Sequence, residues 1–388
     1  MKYKEWQKNA SRFLAMTGYT INEFNRLLPY FKDAHDDYLN RFTLKGKFRS
    51  GERAHVIYDN SPLPSHEERL AFILSYLKLN PIQEHHADTF CMTQKQCNEF
   101  AHGLYKILQL ALKMAEVVPA NSDEELQDVL SDRDFTNAPQ LLHAEVECEI
   151  PPPTEIVVAN RDEKLQDVFS DDRFSDDNRL LHDDNEDDLL SLTVVVANSD
   201  EKLQDISSSE KFSCNNLLLH DGTEREIPRP VNIELQKEKY SGKKKKHTVK
   251  NAVIITACCL ILFVSRTFSG KVHDKRIADE SYTVPCGFTI VQDTGYQGYQ
   301  PEGVKIIQPK KKPVGKELTR EQKDRNRVIS SFRVRVEHAI GSVKRYRIVK
   351  DECRLRKNNF VDSIFLYCAA LHNFRLDTRP FVYKNNLT

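Results

Sequence analysis

Residues 218–230 read LLHDGTEREIPRP, and close versions stand twice upstream, LLHAEVECEIPPP at 141–153 and LLHD at 180–183. An apolar run that stops at Asp221-Gly222 has the form of a strand delivering a carboxylate to a turn. The copies belong to a longer unit. VPANSDEELQDVLSD begins at Val118, VVANRDEKLQDVFSD at Val157 and VVANSDEKLQDISSS at Val195. Asn121, Asn160 and Asn198 correspond, giving steps of 39 and 38 residues. A period of about 40 residues can build a solenoid. These units are poor in large apolar residues and rich in Asp, Asn and Ser, so they read as a duplicated segment that does not stack. Along the period, Asp221 falls opposite Asp183 and Ala144, and Gly222 opposite Asp184 and Glu145. Only the third copy keeps Asp-Gly-Thr and runs on into a basic carboxy-terminal region. It is therefore expected to be the working copy, with residues 118–194 dispensable.

The charge divides in the same way. The 388 residues sum to zero, but residues 121–220 hold 26 acidic and 7 basic side chains, a net −19, which leaves +19 on the rest. A basic body points to a polyanionic partner, and an acidic, Ser-rich, aromatic-poor block to a solvated spacer. The organisation expected is a helical region over 1–116, an acidic tandem-repeat linker over 117–214 and an α/β region over 215–388. The start, MKYKEWQKNASRF, is polar and unlike a secretory signal. The longest apolar run, Ala252–Val264, has 13 residues, too few to cross a bilayer. Nine cysteines without a CxxC pair or Cys/His ligand spacing read as reduced and mostly buried, as in a cytoplasmic protein.

In the amino-terminal region LAFILSYL (70–77) predicts an apolar helix. Asn80-Pro81-Ile82-Gln83 and Thr93-Gln94-Lys95-Gln96 both have the form of helix starts. The second opens a long helix with Phe100, Leu104, Leu108 and Ala111 on one stripe. Two helices joined by a tight break allow a helix-turn-helix with Gln94, Lys95 and Asn98 set to meet DNA. An ordinary helical hairpin with solvated polar ends fits the pattern as well. His85 and His86 are adjacent, face different directions and read as solvated surface.

In the carboxy-terminal region strands are expected from about His247, over Leu260–Val264 and over Phe288–Val291, the last ending at Gln292-Asp293. A long helix from about Asn326 to Tyr346 places Ile329, Phe332, Val336, Ile340 and Val343 on a core-facing stripe. Arg333, Glu337 and Lys344 share a second strip beside it. Asp221 and Asp293 at strand ends, with Glu337 from a helix over the sheet, would form a compact anionic cluster. Carboxylate oxygens suit Mg²⁺ or Mn²⁺, and two such ions can activate a hydroxyl and stabilise a leaving oxygen at a phosphodiester. Lys243, Lys244, Lys245, Lys246, Lys310–Lys312 and Arg345 supply basic surface for DNA.

Taken in order, DGTEREIPRP, YSGKKKKHTVKN, SGKVHDKRIAD, QDTGYQGY, PKKKPVGKELT and RVRVEHAIGSVKRYRI resemble the DDE-superfamily endonuclease transposases of bacterial insertion sequences and, more distantly, Harbinger-type transposases. The likeness covers roughly residues 215–375, and residues 61–100 are similar to the family's helix-turn-helix region. It implies an RNase H-like fold for 215–388, with catalytic, metal-binding acids at Asp221, Asp293 and Glu337 and DNA contacts from Arg333 and Lys344. The Arg-x3-Glu-x6-Lys pattern is present, but Ser330 stands where the family usually has Tyr. Asp274, in the His-Asp pair, is the alternative second acid. The implied protein is a transposase that binds duplex DNA as a homodimer or larger, at terminal inverted repeats and target sites, and acts at the nucleoid. It cleaves element ends and joins them to target with Mg²⁺ or Mn²⁺. A catalytically dead DNA-binding derivative and an RNase H-like ribonuclease are the alternatives.

Overall fold

The computed structural model describes residues 2–50, 54–131, 148–149, 211–212, 216–354 and 360–383. Residues 1–148 and 211–382 form one compact unit. The second and third repeat copies, including Asp183, and the stretch holding Ala144 and Glu145 lie outside the described residues.

The amino-terminal part holds α1 (Lys2–Gln7), α2 (Ala10–Thr17), α3 (Ile21–Arg41), α4 (His66–Leu79), α5 (Gln83–Thr89) and α6 (Gln94–Met114). After α7 (Asp123–Ser131) come two-residue strands β1 (Cys148–Glu149) and β2 (Lys211–Phe212). The carboxy-terminal part begins with β3 (Leu217–Glu226), α8 (Ile233–Lys239), β4 (Tyr240–Ser241) and β5 (Lys246–Thr256). It continues through β6 (Ile261–Val264), β7 (Phe268–Ser269), α9 (Asp274–Ser281), β8 (Thr289–Gln292) and β9 (Lys305–Ile307). It ends with α10 (Arg320–Val343), α11 (Arg347–Lys350) and α12 (Phe360–Leu376).

Helix α4 is apolar all round, and every residue from Glu68 to Leu77 is buried. It packs against α1, α2, α3, α6 and α11, the arrangement such a sequence requires. Asn80 does not cap the next helix. It ends α4 in the left-handed region at φ 46°, and Ile82 precedes α5 without a side-chain cap. Thr93 does cap α6, with Gln96 completing the reciprocal box. The stripe Phe100, Leu104, Leu108 and Ala111 is buried. His85 is exposed, but His86 is buried, with its Nε2 3.2 Å from Phe72 O, so the surface reading holds for only one of the two. The ring replaces solvent with the carbonyl and with Phe72, Tyr76 and Phe90.

The large sheet is mixed. β3 pairs antiparallel with β5 from Leu218↔Thr256 to Glu226↔Thr248, and parallel with β8 from Leu217↔Thr289 to His220↔Gln292. β8 continues to β9 in parallel, while β4, β6 and β7 pair antiparallel with β5. The centre of the sheet is buried on both faces, which explains near-continuous apolar runs instead of alternation. Leu218, Ala252, Ile254 and Ile290 share a core with Leu126 and Leu130 of α7 and Ile277 and Ala278 of α9. The alternate positions face the other way, where α10 contacts β3 and β8 and α12 contacts β6. Helix α10 starts at Arg320, six residues before the expected Asn326, because Thr319 and Gln322 form a capping box there. Among the described residues no helix is long and apolar enough to cross a membrane.

Candidate active site

Asp221 is not at the end of its strand. It lies inside β3, paired with Val253 on the β5 side, but one residue beyond the last parallel pair, His220↔Gln292. Asp293 is the residue after Gln292, so the two acids leave neighbouring parallel strands at the same level. Both follow their partners by one position and therefore lie on the α10 face. Arg333, from α10, spans them. Its Nη2 is 3.2 Å from Asp221 Oδ2 and its Nη1 3.5 Å from Asp293 Oδ1. Asp293 also caps the turn that follows, accepting from Thr294 N at 2.7 Å, and its carbonyl accepts from Gln308 Nε2.

Burial pushes the Asp221 carboxyl up to about 6. Arg333 opposes that shift, and the neighbouring charges of Asp293 and Asp274 add to it. Arg333 outweighs the repulsion from either neighbouring carboxylate, and it is burial that keeps the net shift upward. Tyr296 lies nearby, its hydroxyl driven well above the usual range by burial and by Asp274, Asp221 and Asp293. The buried Tyr296 Oη has no hydrogen-bond partner, and neither does Arg333 Nε.

Asp274 belongs to the other face of β3. Its Oδ1 pairs with Lys250 Nζ at 3.1 Å, and Lys250 shares the face of Ala252, the partner of Gly222. A Cβ on Gly222 would stand 3.0 Å from Asp274 Oδ1 and 3.3 Å from Tyr296 Oη. The glycine of Asp-Gly-Thr is therefore a close-approach position, which the sequence reading assigned only to turn geometry. Lys250 and Tyr296 were missed altogether. Tyr296 sits in the quoted DTGY stretch, so proximity to Asp293 was the available signal.

Glu337 lies one helical turn after Arg333 on the same strip of α10 but is exposed, with no hydrogen bond or ion pair to another described residue. Lys344 continues the strip. Burial lowers its ammonium pKa, Lys244 and Arg225 lower it further, and Asp221 and Glu224 raise it. The structure thus brings Asp221, Asp293 and Arg333 together and leaves Glu337 apart. Among the described residues the only set of three His, Cys, Asp or Glu ligand atoms mutually within 4.8 Å is His35, Asp36 and His66.

The pair Asp221–Asp293 fits a hard divalent cation in donor chemistry. Mg²⁺ is usually held by one or two carboxylates with the remaining positions left to water and phosphate. Burial raises the Asp221 pKa, and a bound cation would supply the compensation that the ionised carboxylate lacks.

Of the remaining sequence candidates, Lys243, Lys244, Lys245 and Lys246 are exposed around the β4–β5 turn, Lys246 paired with Glu226 at 2.9 Å. Gln94 and Lys95 are exposed at the start of α6. Asn98 is half-buried and accepts from Gln83 Nε2 at 3.2 Å, tying α6 to α5.

A family model described as DDE superfamily endonuclease matches residues 220–373. Residues 220–373 are thus similar to the DDE superfamily endonucleases. The matched stretch holds Asp221, Asp293, Arg333 and Glu337. A probable transposase for insertion sequence element IS702 of Microchaete diplosiphon is 32% identical over 155 residues, covering 38% of this chain. The match spans 55% of that relative's length. No solved structure matches.

Proposed function

We propose that the chain is a transposase that cuts the ends of its own insertion sequence with a divalent metal and joins them to target DNA. The observation that carries this reading is the Arg333-spanned pair Asp221–Asp293 on neighbouring parallel strands inside the stretch similar to DDE superfamily endonucleases. The sheet path β6-β5-β3-β8-β9, antiparallel across β6, β5 and β3 and parallel across β3, β8 and β9, supports an RNase H-like fold for 215–388.

In this reading Asp221 and Asp293 hold Mg²⁺ or Mn²⁺, which supplies charge stabilisation at the scissile phosphate. Arg333 would orient both acids and offer its donors to a phosphate oxygen. Glu337, one turn further along α10, would be the third acid able to hold the ion. Lys243–Lys246 and Lys344 track the backbone, and Gln94 and Lys95 read the element ends. Asn98 positions α6 through Gln83. The protein acts on duplex DNA at terminal inverted repeats and target sites, as a homodimer or larger assembly at the nucleoid.

The exposed, unjoined Glu337 favours one competing reading, a DNA-binding protein without nuclease activity. The test is nicking of a duplex carrying the element's ends, with and without Mg²⁺. Metal-dependent nicking lost in Asp221→Ala, Asp293→Ala and Glu337→Ala, with binding kept, supports the transposase. Binding without nicking under all conditions favours the inert protein.

A further inference from the structure

The helical region carries a second cluster of metal-ligand chemistry, remote in sequence from the acids. Asp36 Oδ1 lies 2.9 Å from His35 Nδ1 and 3.0 Å from His66 Nε2, and the two ring nitrogens are 3.2 Å apart. Ligand atoms around a tetrahedral zinc, each about 2.0–2.1 Å from the ion, stand about 3.3 Å from one another. The triangle has that size. It joins the carboxy-terminal half of α3 to the start of α4. Asp36 and His66 have side chains 48% and 21% exposed, and they line an open cleft of about 530 Å³ with Asn40 and His55. An entry path for an ion therefore exists.

A hydrogen-bond relay accounts for part of this cluster. Arg69 Nη1 donates to His35 Nε2, which leaves the neutral ring's proton on Nδ1, pointing at Asp36. His66 donates to the same carboxylate. The relay leaves one group unanswered. His55, in the irregular segment between α3 and α4, has its ring centroid 5.7 Å from that of His35. Its Nε2 is buried without a hydrogen-bond partner. Its backbone N–H is anchored to Asn40 Oδ1 at 2.8 Å, so the residue is held beside the cluster, outside the 4.8 Å set, and its ring would swing inward to ligate.

We propose that His35, Asp36 and His66, with His55 as the fourth ligand, bind a zinc-type divalent ion that fixes the segment between α3 and α4 to both helices. Imidazole nitrogens with one carboxylate select a transition metal, not the hard cation suited to Asp221 and Asp293. On binding, the His35 proton moves from Nδ1 to Nε2 and the His66 proton from Nε2 to Nδ1, and the ion takes the two freed lone pairs, with no net change in charge on either ring. Arg69 must then turn from Nε2, which it can do while keeping its Nε bond to Leu63 O at 3.2 Å.

The test uses the full-length chain, carrying Asp221→Ala and Asp293→Ala to silence the acid pair, freed of metal by a chelator. Zn²⁺ is titrated by calorimetry and Co²⁺ by its visible absorption, and melting is followed with and without Zn²⁺. The expected result is one equivalent bound, a tetrahedral cobalt spectrum, and a melting temperature raised by Zn²⁺. Asp36→Asn and His66→Gln, both at partly exposed positions, should remove all three signals while the metal-free melting curve stays cooperative. His55→Gln should weaken binding about tenfold or more. Arg69→Gln, whose carbonyl can accept the Nε2 proton, should bind as tightly as the parent or more so. No binding by the parent, or equal binding by Asp36→Asn and His66→Gln, overturns the site. Unchanged affinity in His55→Gln removes the fourth ligand.

Discussion

Ala120 forms a parallel bridge with Phe263, donating to Leu262 O at 2.8 Å while its own carbonyl accepts from Val264 N at 2.9 Å. The start of the first repeat copy is thus stitched to the edge of the sheet. Asn121 Nδ2 donates to Val264 O at 2.8 Å, and Asp123 Oδ1 accepts from Thr283 N at 2.6 Å. Leu126 and Leu130 are buried in the core beside α9. The expectation that residues 118–194 are dispensable met this contact.

The later copies keep Ala, Asn, Asp, Leu and Gln at the docking positions, as Ala197, Asn198, Asp200, Leu203 and Gln204 in the third. Two changes weaken it. Lys202 replaces Glu125, which accepts from Asn121 N, and Ser207 replaces the buried Leu130. Deleting 118–194 should therefore give a folded protein that is less stable than the parent by about 2–5 kcal/mol, the range for losing a buried Leu. Ser207→Leu in the deletion should restore most of it. Urea denaturation of the three proteins checks this, and a deletion as stable as the parent would show that the bridge and α7 contribute little.

A second prediction concerns Asp221. Its folded pKa of about 6 lies above the ordinary value of 3.8, so the fold favours the protonated acid. That contribution is fully present below about pH 4 and is lost as pH rises through 6. Asp221→Asn should accordingly stabilise the metal-free protein at pH 8 by up to about 3 kcal/mol and leave it little changed at pH 4. Mg²⁺ should raise the melting temperature of the parent at pH 8 and not that of Asp221→Asn. A variant equally destabilised at both pH values would refute the buried-charge account.

Removing Arg333 should act in the opposite sense on the acids. Arg333→Ala deletes the cation that holds the Asp221 pKa down, so that pKa should climb further. The acid limb of the pH–rate profile for cleavage should shift to higher pH, with a lower maximum because the phosphate contact is gone. Arg333→Lys should recover the limb better than the maximum, since a point charge cannot span two carboxylates as a guanidinium does. An unshifted limb in Arg333→Ala separates the arginine from the acids electrostatically.

Much of this site was legible because strands announce themselves locally. LLH gave the start of β3, though the strand runs on through Asp-Gly-Thr to Glu226, FTIV gave β8 to within a residue at each end, and the Phe332-bearing stripe gave α10, with Ile329, Val336, Ile340 and Val343 buried. Pairing was not legible. Nothing in the string places Asp221 and Asp293 at the same level across a parallel pair, or Asp274 beyond the glycine on the other face. The His35–Asp36–His66 triangle was equally hidden, since its third member follows an irregular segment and its geometry depends on where α4 enters.

For DNA binding, neutralising Lys243–Lys246 should weaken affinity on all duplexes and reduce the salt slope. Four phosphate contacts would be worth about 3.6 in slope. The Lys246–Glu226 ion pair means that about three contacts, a change of about 2.7, is the expected loss. Gln94→Ala should instead lower discrimination between element ends and random DNA with little change in slope. Equal losses on both DNAs would return α5–α6 to a helical hairpin without a reading role.

The choice between Asp293 and Asp274 gives the last test. Asp293 shares the α10 face with Asp221 and is bound by the same arginine. Asp274 holds Lys250 on the opposite face, against Gly222 and Gly295. Asp293→Ala should reduce Mg²⁺-dependent cleavage more than about 100-fold, beyond the range for residues that only support a ligand. Asp274→Asn should keep cleavage within about 10-fold of the parent and destabilise the protein modestly, since Lys250 keeps its bond to Val272 O at 3.2 Å. Cleavage assays at matched folded concentration, with melting curves beside them, separate the two effects. If Asp274→Asn is as inactive as Asp293→Ala while its melting curve is unchanged, the acid that completes the pair reaches it through the glycine gap at 222, and Asp293 serves Arg333 instead.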